Sequence, residues 1–304
     1  MIVVFGSVNL DLVTRVTKIP APGETVLGPS YDVVPGGKGA NQALAARRAG
    51  ARVMLVAAVG QDAFAATALS LLAADGVDLS AVARLEAPTG AAFIAVDAQA
   101  ENAIVVASGA NAHAKASQLE GVSFGASDIL LLQREVPDAE AEAAAHLAKR
   151  RGARVLLNLA PAGPIPRSYL DLLDVLILNE HEAVTIGTHL GLPDLAPQAV
   201  AAAIDAQFGV ATIVTLGAEG AVGFVGGTRH AVGSLPIEVV DTTAAGDAFV
   251  GAFAAALERG LSFDAAMVRG AAAGSLACAK LGAQTSLPFA ADIEAGAARL
   301  PRAR

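Results

Sequence analysis

Asp241-Thr242-Thr243-Ala244-Ala245-Gly246-Asp247-Ala248-Phe249 stands between an apolar run, Leu235-Pro-Ile-Glu-Val-Val240, and an alanine-rich run, Ala248 to Leu257, which Glu258-Arg259-Gly260 closes. That order reads as strand, tight turn, helix. A turn of small residues opening a helix leaves backbone N–H groups without partners, aimed at one point where the helix dipole adds to them. Such a point favours an anion. Ala244, Ala245 and Gly246 put almost no side chain in the way of a phosphoryl oxygen, and Asp247 hangs beside them from the first helical turn. A carboxylate next to an anion hole suggests a base beside a phosphoryl acceptor. A lone Gly-Asp pair also reads as a helix cap with a tolerant turn. The two aspartates lie six residues apart with only small or hydroxylic residues between them, which leaves the two readings evenly matched.

Composition narrows the setting. A chain of 304 residues that is 54% hydrophobic can bury a large core, as one large domain or two unequal ones. A net charge of −8 argues against a phosphate-backbone binder, so nucleic acid is not an expected partner. One cysteine, Cys278, excludes an internal disulfide framework and fits a reducing compartment. His113, His146, His181, His189 and His230 are scattered without ligand spacing, so no Cys/His metal cage is expected. Met1-Ile-Val-Val-Phe-Gly6 lacks the parts of a signal peptide, and no uncharged run approaches the roughly 18 residues of a membrane span. The expectation is a soluble, cytoplasmic protein.

From the N-terminus, Ile2-Val-Val-Phe5 reads as a strand running into Gly6-Ser-Val-Asn-Leu-Asp11. Polar groups at a strand's carboxyl end are where open α/β sheets keep ligands. Asn9 and Asp11 are two apart and share a face if the strand continues; the pair suits neighbouring sugar hydroxyls, or else forms an Asx-turn. Leu12 to Pro35 and Thr89 to Ala110 alternate apolar and polar residues, the second as a hairpin around Asp97-Ala-Gln-Ala-Glu101. Together, at about 12–36 and 89–110, they are expected to form a small β-sheet lid. Between them, Pro35-Gly36-Gly37-Lys38-Gly39-Ala40-Asn41-Gln42-Ala43 opens a helix expected to end at Gly50. It matches neither a Walker loop nor a dinucleotide fingerprint, so Gly37, Lys38 and Asn41 are candidates for cradling substrate hydroxyls.

Beyond Asn111 the chain alternates regularly. Strands at Ile129–Leu132, Arg154–Leu157, Val175–Leu178 and Thr212–Leu216 are separated by helical stretches such as Ala139–Lys149 and Pro197–Phe208. This predicts an α/β fold with a mostly parallel sheet covered by helices on both faces. Polar residues recur at strand ends: Gln133 and Glu135, Asn158, Asn179 with Glu182, and Thr215 with Gly217. Their repetition points to one shared cleft, although any one of them alone reads as a cap or turn residue.

Gly6-Ser-Val-Asn-Leu-Asp11, Gly36-Gly-Lys-Gly-Ala-Asn-Gln-Ala43, Asn179-Glu-His-Glu182, Asp241-Thr-Thr-Ala-Ala-Gly-Asp-Ala-Phe249 and Gly282-Ala-Gln-Thr-Ser286 resemble, in order and spacing, the motif series of the ribokinase-like (PfkB) carbohydrate kinases. The resemblance spans nearly the whole chain. It implies one three-layer α/β/α kinase domain over residues 1–304 with a β lid, and often a homodimer through the lids. It further implies transfer of the ATP γ-phosphoryl to the 5-hydroxyl of a pentose, ribose first. Within that family Asp247 matches the catalytic base and Ala244, Ala245 and Gly246 the anion hole. Asn9, Asp11, Gly37, Lys38, Asn41 and Glu135 match sugar-holding positions. Asn179 and Glu182 match the motif that orders Mg²⁺ and the phosphates, with Thr215, Gly217 and Gly220 also on the nucleotide side. Asp241, Thr243, Ala277, Gly282 and Ser286 match an activating K⁺ site. Two departures stand out: Arg134, where relatives are apolar, leaves the local strand face open, and Ala271 is small where a larger side chain covers adenine.

Phosphoryl transfer depends on in-line placement and charge neutralisation more than on covalent help from protein. The helix dipole is expected to keep Asp247 ionised at neutral pH. Other acceptors of the same class, namely 2-deoxyribose, fructose or adenosine, remain alternatives, as does a non-catalytic sugar or nucleotide sensor.

Overall fold

A computed structural model of the chain describes residues 1–99 and 101–300; Ala100, inside the expected hairpin turn, and residues 301–304 of the expected 1–304 domain lie outside the described residues. Among the described residues the strands are β1 (Ile2–Phe5), β2 (Asn9–Arg15), β3 (Tyr31–Gly36), β4 (Val53–Gly60), β5 (Val82–Leu85), β6 (Gly90–Val96), β7 (Asn102–Ala107), β8 (Ile129–Leu132), β9 (Arg154–Asn158), β10 (Val175–Asn179), β11 (Ala211–Thr215), β12 (Ala221–Val225) and β13 (Thr228–Val232). The helices are α1 (Lys38–Arg48), α2 (Ala63–Ala68), α3 (Ser70–Ala74), α4 (Asp138–Arg150), α5 (Arg167–Leu170), α6 (Glu180–His189), α7 (Pro197–Phe208), α8 (Ala245–Glu258), α9 (Phe263–Cys278) and α10 (Ala290–Ala297).

The large sheet runs β13-β12-β11-β10-β9-β8-β1-β4-β5. It is parallel from β11 to β5, and β12 and β13 add an antiparallel edge. Its strands are short apolar runs because both faces are covered. In β1, Ile2 and Val4 join a core with Leu44 of α1, Phe253 of α8 and Ala272 of α9. Val3 and Phe5 point the other way, to Leu147 of α4, Ile186 of α6 and Ile204 of α7. Side chains alternating at period two thus build both cores from one strand, each full burial stabilising by about 1.5–3 kcal/mol. The layers are the expected α/β/α arrangement.

The second sheet, β3-β2-β6-β7, stands apart from the first. β2 pairs antiparallel with β3 and parallel with β6, and β6 and β7 form the hairpin read from the sequence. The chain enters it directly from β1 through Gly6-Ser7-Val8 and leaves it from β3 into α1. At that exit Gly37 takes φ 89°, a left-handed value that glycine adopts without strain.

α1 and α8 meet at close range. A Cβ on Gly251 would lie 2.5 Å from Ala45 Cβ and 2.8 Å from Gln42 O, so the backbones pack directly there. Asp247 sits one helical turn before this point, which brings it against α1.

One expected element is absent. Residues 235–240 do not pair as a strand; they run unpaired between β13 and α8. Pro236 lacks the N–H a ladder needs, and Val240 N and Asp241 N both donate to Cys278 O at the end of α9. The deciding stretch is therefore loop, tight turn, helix. The β12–β13 hairpin was not read from the sequence, although Gly226-Gly227 marks its turn with φ 56° and 76°.

Candidate active site

α8 opens at Ala244 in a left-handed conformation, φ 59°, and among the described residues no side chain caps it. Ala245 N donates to Thr242 O (3.2 Å) within the turn. The N–H groups of Ala244, Gly246 and Asp247 donate to no protein acceptor among the described residues. Of the three residues expected to form an anion hole, Ala245 has its N–H occupied within the turn, while those of Ala244 and Gly246 are open, as is that of Asp247. A Cβ on Gly246 would meet no atom within 4 Å among the described residues, so the glycine faces open space. These open amides at a helix N-terminus can receive an anion.

Asp247 is buried, at 7% exposure. Asn41 Nδ2 donates to its Oδ2 (2.9 Å) and Gln42 Nε2 to its Oδ1 (2.8 Å). The dipole argument for a readily ionised carboxylate omitted this burial. Desolvation raises the Asp247 pKa above its ordinary value, against Lys38, Asn41 and Gln42, which favour the charged form. Burial draws the Lys38 ammonium down, but Asp247, Glu135, Glu182 and Asp11 outweigh it and leave its pKa raised. Lys38 is therefore a protonated cation amid carboxylates.

Asn9 and Asp11 lie on one face of β2, the face turned to this cluster, and no Asx-turn forms. Asn9 Oδ1 accepts from Asn111 Nδ2 (2.7 Å), which leaves the Asn9 amide nitrogen as the group available to a ligand. Glu135 Oε2 accepts from Ser7 Oγ (2.6 Å) and Lys38 N (3.0 Å). Arg134 turns the other way and pairs with Asp138 (2.6 Å), which settles the face left open by the sequence.

Burial, reinforced by the charges of Glu135 and Asp247, pushes the Asp11 carboxyl up to about 7. A carboxyl whose pKa is raised on folding stabilises the fold when protonated, and that contribution is lost as pH rises through the folded value. The melting temperature of the ligand-free protein should therefore fall between about pH 4 and 7, the span between the ordinary and the folded values, and Asp11→Asn should flatten the profile. Parallel profiles for the two proteins would refute the assignment.

Lys38, Asn158, Asn179, Glu182 and the Ala244–Asp247 turn line a cavity of about 250 Å³. Asn179 and Glu182 form a reciprocal cap at the start of α6, Oδ1 to Glu182 N and Oε2 to Asn179 N, both 2.8 Å. Glu182 Oε1 accepts no hydrogen bond among the described residues, so one carboxylate oxygen remains for a cation. Thr215 and Gly246 also line an adjoining apolar cavity of about 480 Å³, with Gly217, Gly220 and Ala271. Ala271 and Gly274 of α9 both line that cavity and put little side chain into it.

The remaining expected residues form a separate cluster. Asp241 Oδ1 accepts from Thr243 N (2.9 Å) and Oγ1 (2.6 Å), and Oδ2 from Gly282 N (2.9 Å). Burial works to raise its pKa, but these donors prevail and lower it, so the group is an ionised carboxylate clamping two loops. The carbonyls of Thr243, Gly282 and Ser286 accept no protein hydrogen bond among the described residues, whereas Ala277 O accepts Lys280 N (3.2 Å). One charge beside open carbonyls fits a large monovalent cation, with Ala277 the poorest of the expected ligands.

Sequence reading gave no role to Ser7, Gln42 or Asn111, and none to Gln133 and Asn158 beyond strand-end polarity. Gln42 lies within the glycine-rich motif and Asn111 directly follows the second lid segment, but their partners are about a hundred or more residues away in sequence. Among the described residues no group of three His, Cys, Asp or Glu could hold a metal by itself, and no helix is long and apolar enough to cross a membrane.

Comparison with known proteins matches residues 1–290 to the model of the pfkB family carbohydrate kinases. The chain is 39% identical to the ribokinase of Haemophilus influenzae over 94% of both chains. It is 37% identical to that of Bacillus subtilis, covering 96% of this chain and 98% of the relative. Among solved structures, Thermotoga maritima ribokinase superposes with TM-score 0.90 at 34% identity, covering 97% of this chain and 98% of that one. Arabidopsis thaliana ribokinase complexed with ribose and ATP superposes with TM-score 0.86 at 30% identity and the same coverage.

Proposed function

The chain belongs to the pfkB family of carbohydrate kinases and is an ATP-dependent sugar kinase, and we propose that it transfers the γ-phosphoryl group of ATP to the 5-hydroxyl of D-ribose, giving ribose 5-phosphate. The observation that carries the proposal is the buried Asp247 carboxylate, held by Asn41 and Gln42 beside the open amides of α8.

In this reading the sugar lies under the small sheet, with Asn9, Asp11, Gly37, Lys38, Asn41 and Glu135 around its hydroxyls. The lid comprises residues of about 12–36 and 89–110 and belongs to the same domain. The nucleotide occupies the 480 Å³ cavity past Thr215, Gly217 and Gly220, and its terminal phosphate reaches the N-terminus of α8. Asp247 orients the acceptor hydroxyl and takes its proton as the new P–O bond forms and the bond to the leaving ADP oxygen breaks. Open N–H groups and the α8 dipole stabilise the charge on the transferring group, and the Lys38 ammonium lies close enough to add to them. Asn179 and Glu182 would hold Mg²⁺, which neutralises phosphate charge when bound.

Asp241 with the carbonyls of Thr243, Gly282 and Ser286 would hold K⁺, which would stiffen the loop preceding α8. Activity should be several-fold higher in potassium than in sodium chloride at equal ionic strength. Equal rates would remove the cation from the account.

A second copy of the chain is the proposed partner of the lid. Val33, Leu12, Phe93 and Val105 stand in register across the sheet on the face opposite Asp11, and Phe93 and Val105 are 52% and 68% exposed. The unpaired Cys278 suits the reducing cytoplasm.

The acceptor is tested by ADP release with ribose, 2-deoxyribose, fructose and adenosine in Mg-ATP. Ribose should give the highest kcat/KM. A preference of tenfold or more for another acceptor would overturn ribose, and no ADP release with any would overturn the kinase.

A further inference from the structure

Behind Asp247 lies a chain of buried amides with a single direction. Gln133 Nε2 donates to Gln42 Oε1 (2.7 Å). Gln42 Nε2 donates to both Asp247 Oδ1 (2.8 Å) and Asn158 Oδ1 (2.9 Å). Asn158 Nδ2 in turn donates to Ile177 O (3.2 Å). Gln42 and Gln133 are fully buried, and Asn158 is 8% exposed.

The direction is fixed at both ends. An ionised carboxylate and a backbone carbonyl can only accept, so Asp247 and Ile177 both require N–H groups facing them. Asn158, turned by Ile177, presents its oxygen to Gln42. Gln133 supplies the donor that holds the Gln42 oxygen on the far side. Both Gln42 amide hydrogens are thereby committed, and one of them is aimed at Asp247. Close packing of α1 and α8 at Gly251 fixes the distance over which this works.

We propose that Gln42, oriented by Gln133 and Asn158, is a positioning residue for phosphoryl transfer. Its fixed N–H occupies one side of the Asp247 carboxylate and turns the remaining lone pairs toward the acceptor hydroxyl. The inference rests on the reading of Asp247 as the base. Gln42 touches neither sugar nor nucleotide in it, so the effect appears in turnover and not in substrate affinity.

The test is a set of variants assayed with Mg-ATP and the preferred sugar of the wild-type protein. Gln42→Met, which keeps the volume and removes the donor, should lower kcat about 10–100-fold, the worth of one hydrogen bond to a charged group. The sugar KM should stay within about twofold. Gln133→Met should lower kcat less, because Asp247 and Asn158 still draw the two Gln42 amide hydrogens and only the hold on its oxygen is lost. The double variant should be no worse than Gln42→Met by more than about twofold, since both act through one amide. Multiplying losses in the double variant, or a sugar KM rising with the fall in kcat, would show a merely structural role. If Gln42→Met does not fold, Gln133→Met combined with Asn158→Ala supplies the same non-additivity test. Asp247→Asn is run alongside. Full activity in Asp247→Asn overturns both the base and its positioning residue, whereas an inactive Asp247→Asn with an unaffected Gln42→Met overturns the positioning alone.

Discussion

Asp247→Asn should lower kcat by about 10²–10⁴, the usual contribution of a positioned base, while the sugar KM changes by less than about threefold. Asparagine keeps the size of the side chain and removes the proton acceptor. Its effect on stability is the difference of two opposing terms. One oxygen becomes an NH₂ group facing an N–H of either Asn41 or Gln42, which costs about 1 kcal/mol or more. Against this, a buried charge is removed, and burial is the leading cause of the raised Asp247 pKa. The melting temperature should therefore move little. Steady-state kinetics, with calorimetric titration of the sugar, separates the lost step from lost binding. Turnover near the wild-type value would remove Asp247 from its role.

Asp11→Ala should raise the sugar KM about 10–100-fold with kcat at saturation changed by less than about tenfold, as expected when hydrogen bonds from hydroxyls to a charged group are lost in both ground and transition states. Asp11 projects from the cleft face of β2 beside Asn9, and it is close enough to feel both Glu135 and Asp247. Hydroxyl donors from a bound sugar favour its ionised form, so the wild-type KM should also rise as pH falls below about 7. A variant with unchanged KM and depressed kcat would place Asp11 in the chemistry and not in recognition.

Much of this arrangement is legible in the letters because it is local. The parallel strands β1 and β8 to β11 announce themselves as short β-branched or leucine runs, and the lid as two alternating segments, whereas β4 and β5 were not read. The open amides of α8 follow from three small residues ahead of an alanine-rich helix. Where the reading fails, a distant partner decides. Residues 235–240 look like a strand, but Cys278 O takes the N–H groups of Val240 and Asp241, and the segment borders the large cavity. That Thr242 O accepts from the Ala245 N–H while the Asp247 N–H stays open is also not visible in the letters. Gln42 in the glycine-rich motif carries no sign that it will meet Asp247, 205 residues away. Gly251 has no part in the sequence reading, although it is what lets α1 and α8 approach. Burial of Asp247 is likewise a property of the assembled layers, and it reverses the pKa direction that the dipole alone suggests.

The most direct measurement is a crystal structure of the protein with ribose and a non-hydrolysable ATP analogue. The account requires an Asp247 carboxylate oxygen at about 2.6–3.2 Å from the 5-hydroxyl, with the terminal phosphate against the open amides of α8 and in line with that hydroxyl. An Asp247 carboxylate directed away from the sugar, or a terminal phosphate bound elsewhere, would contradict it.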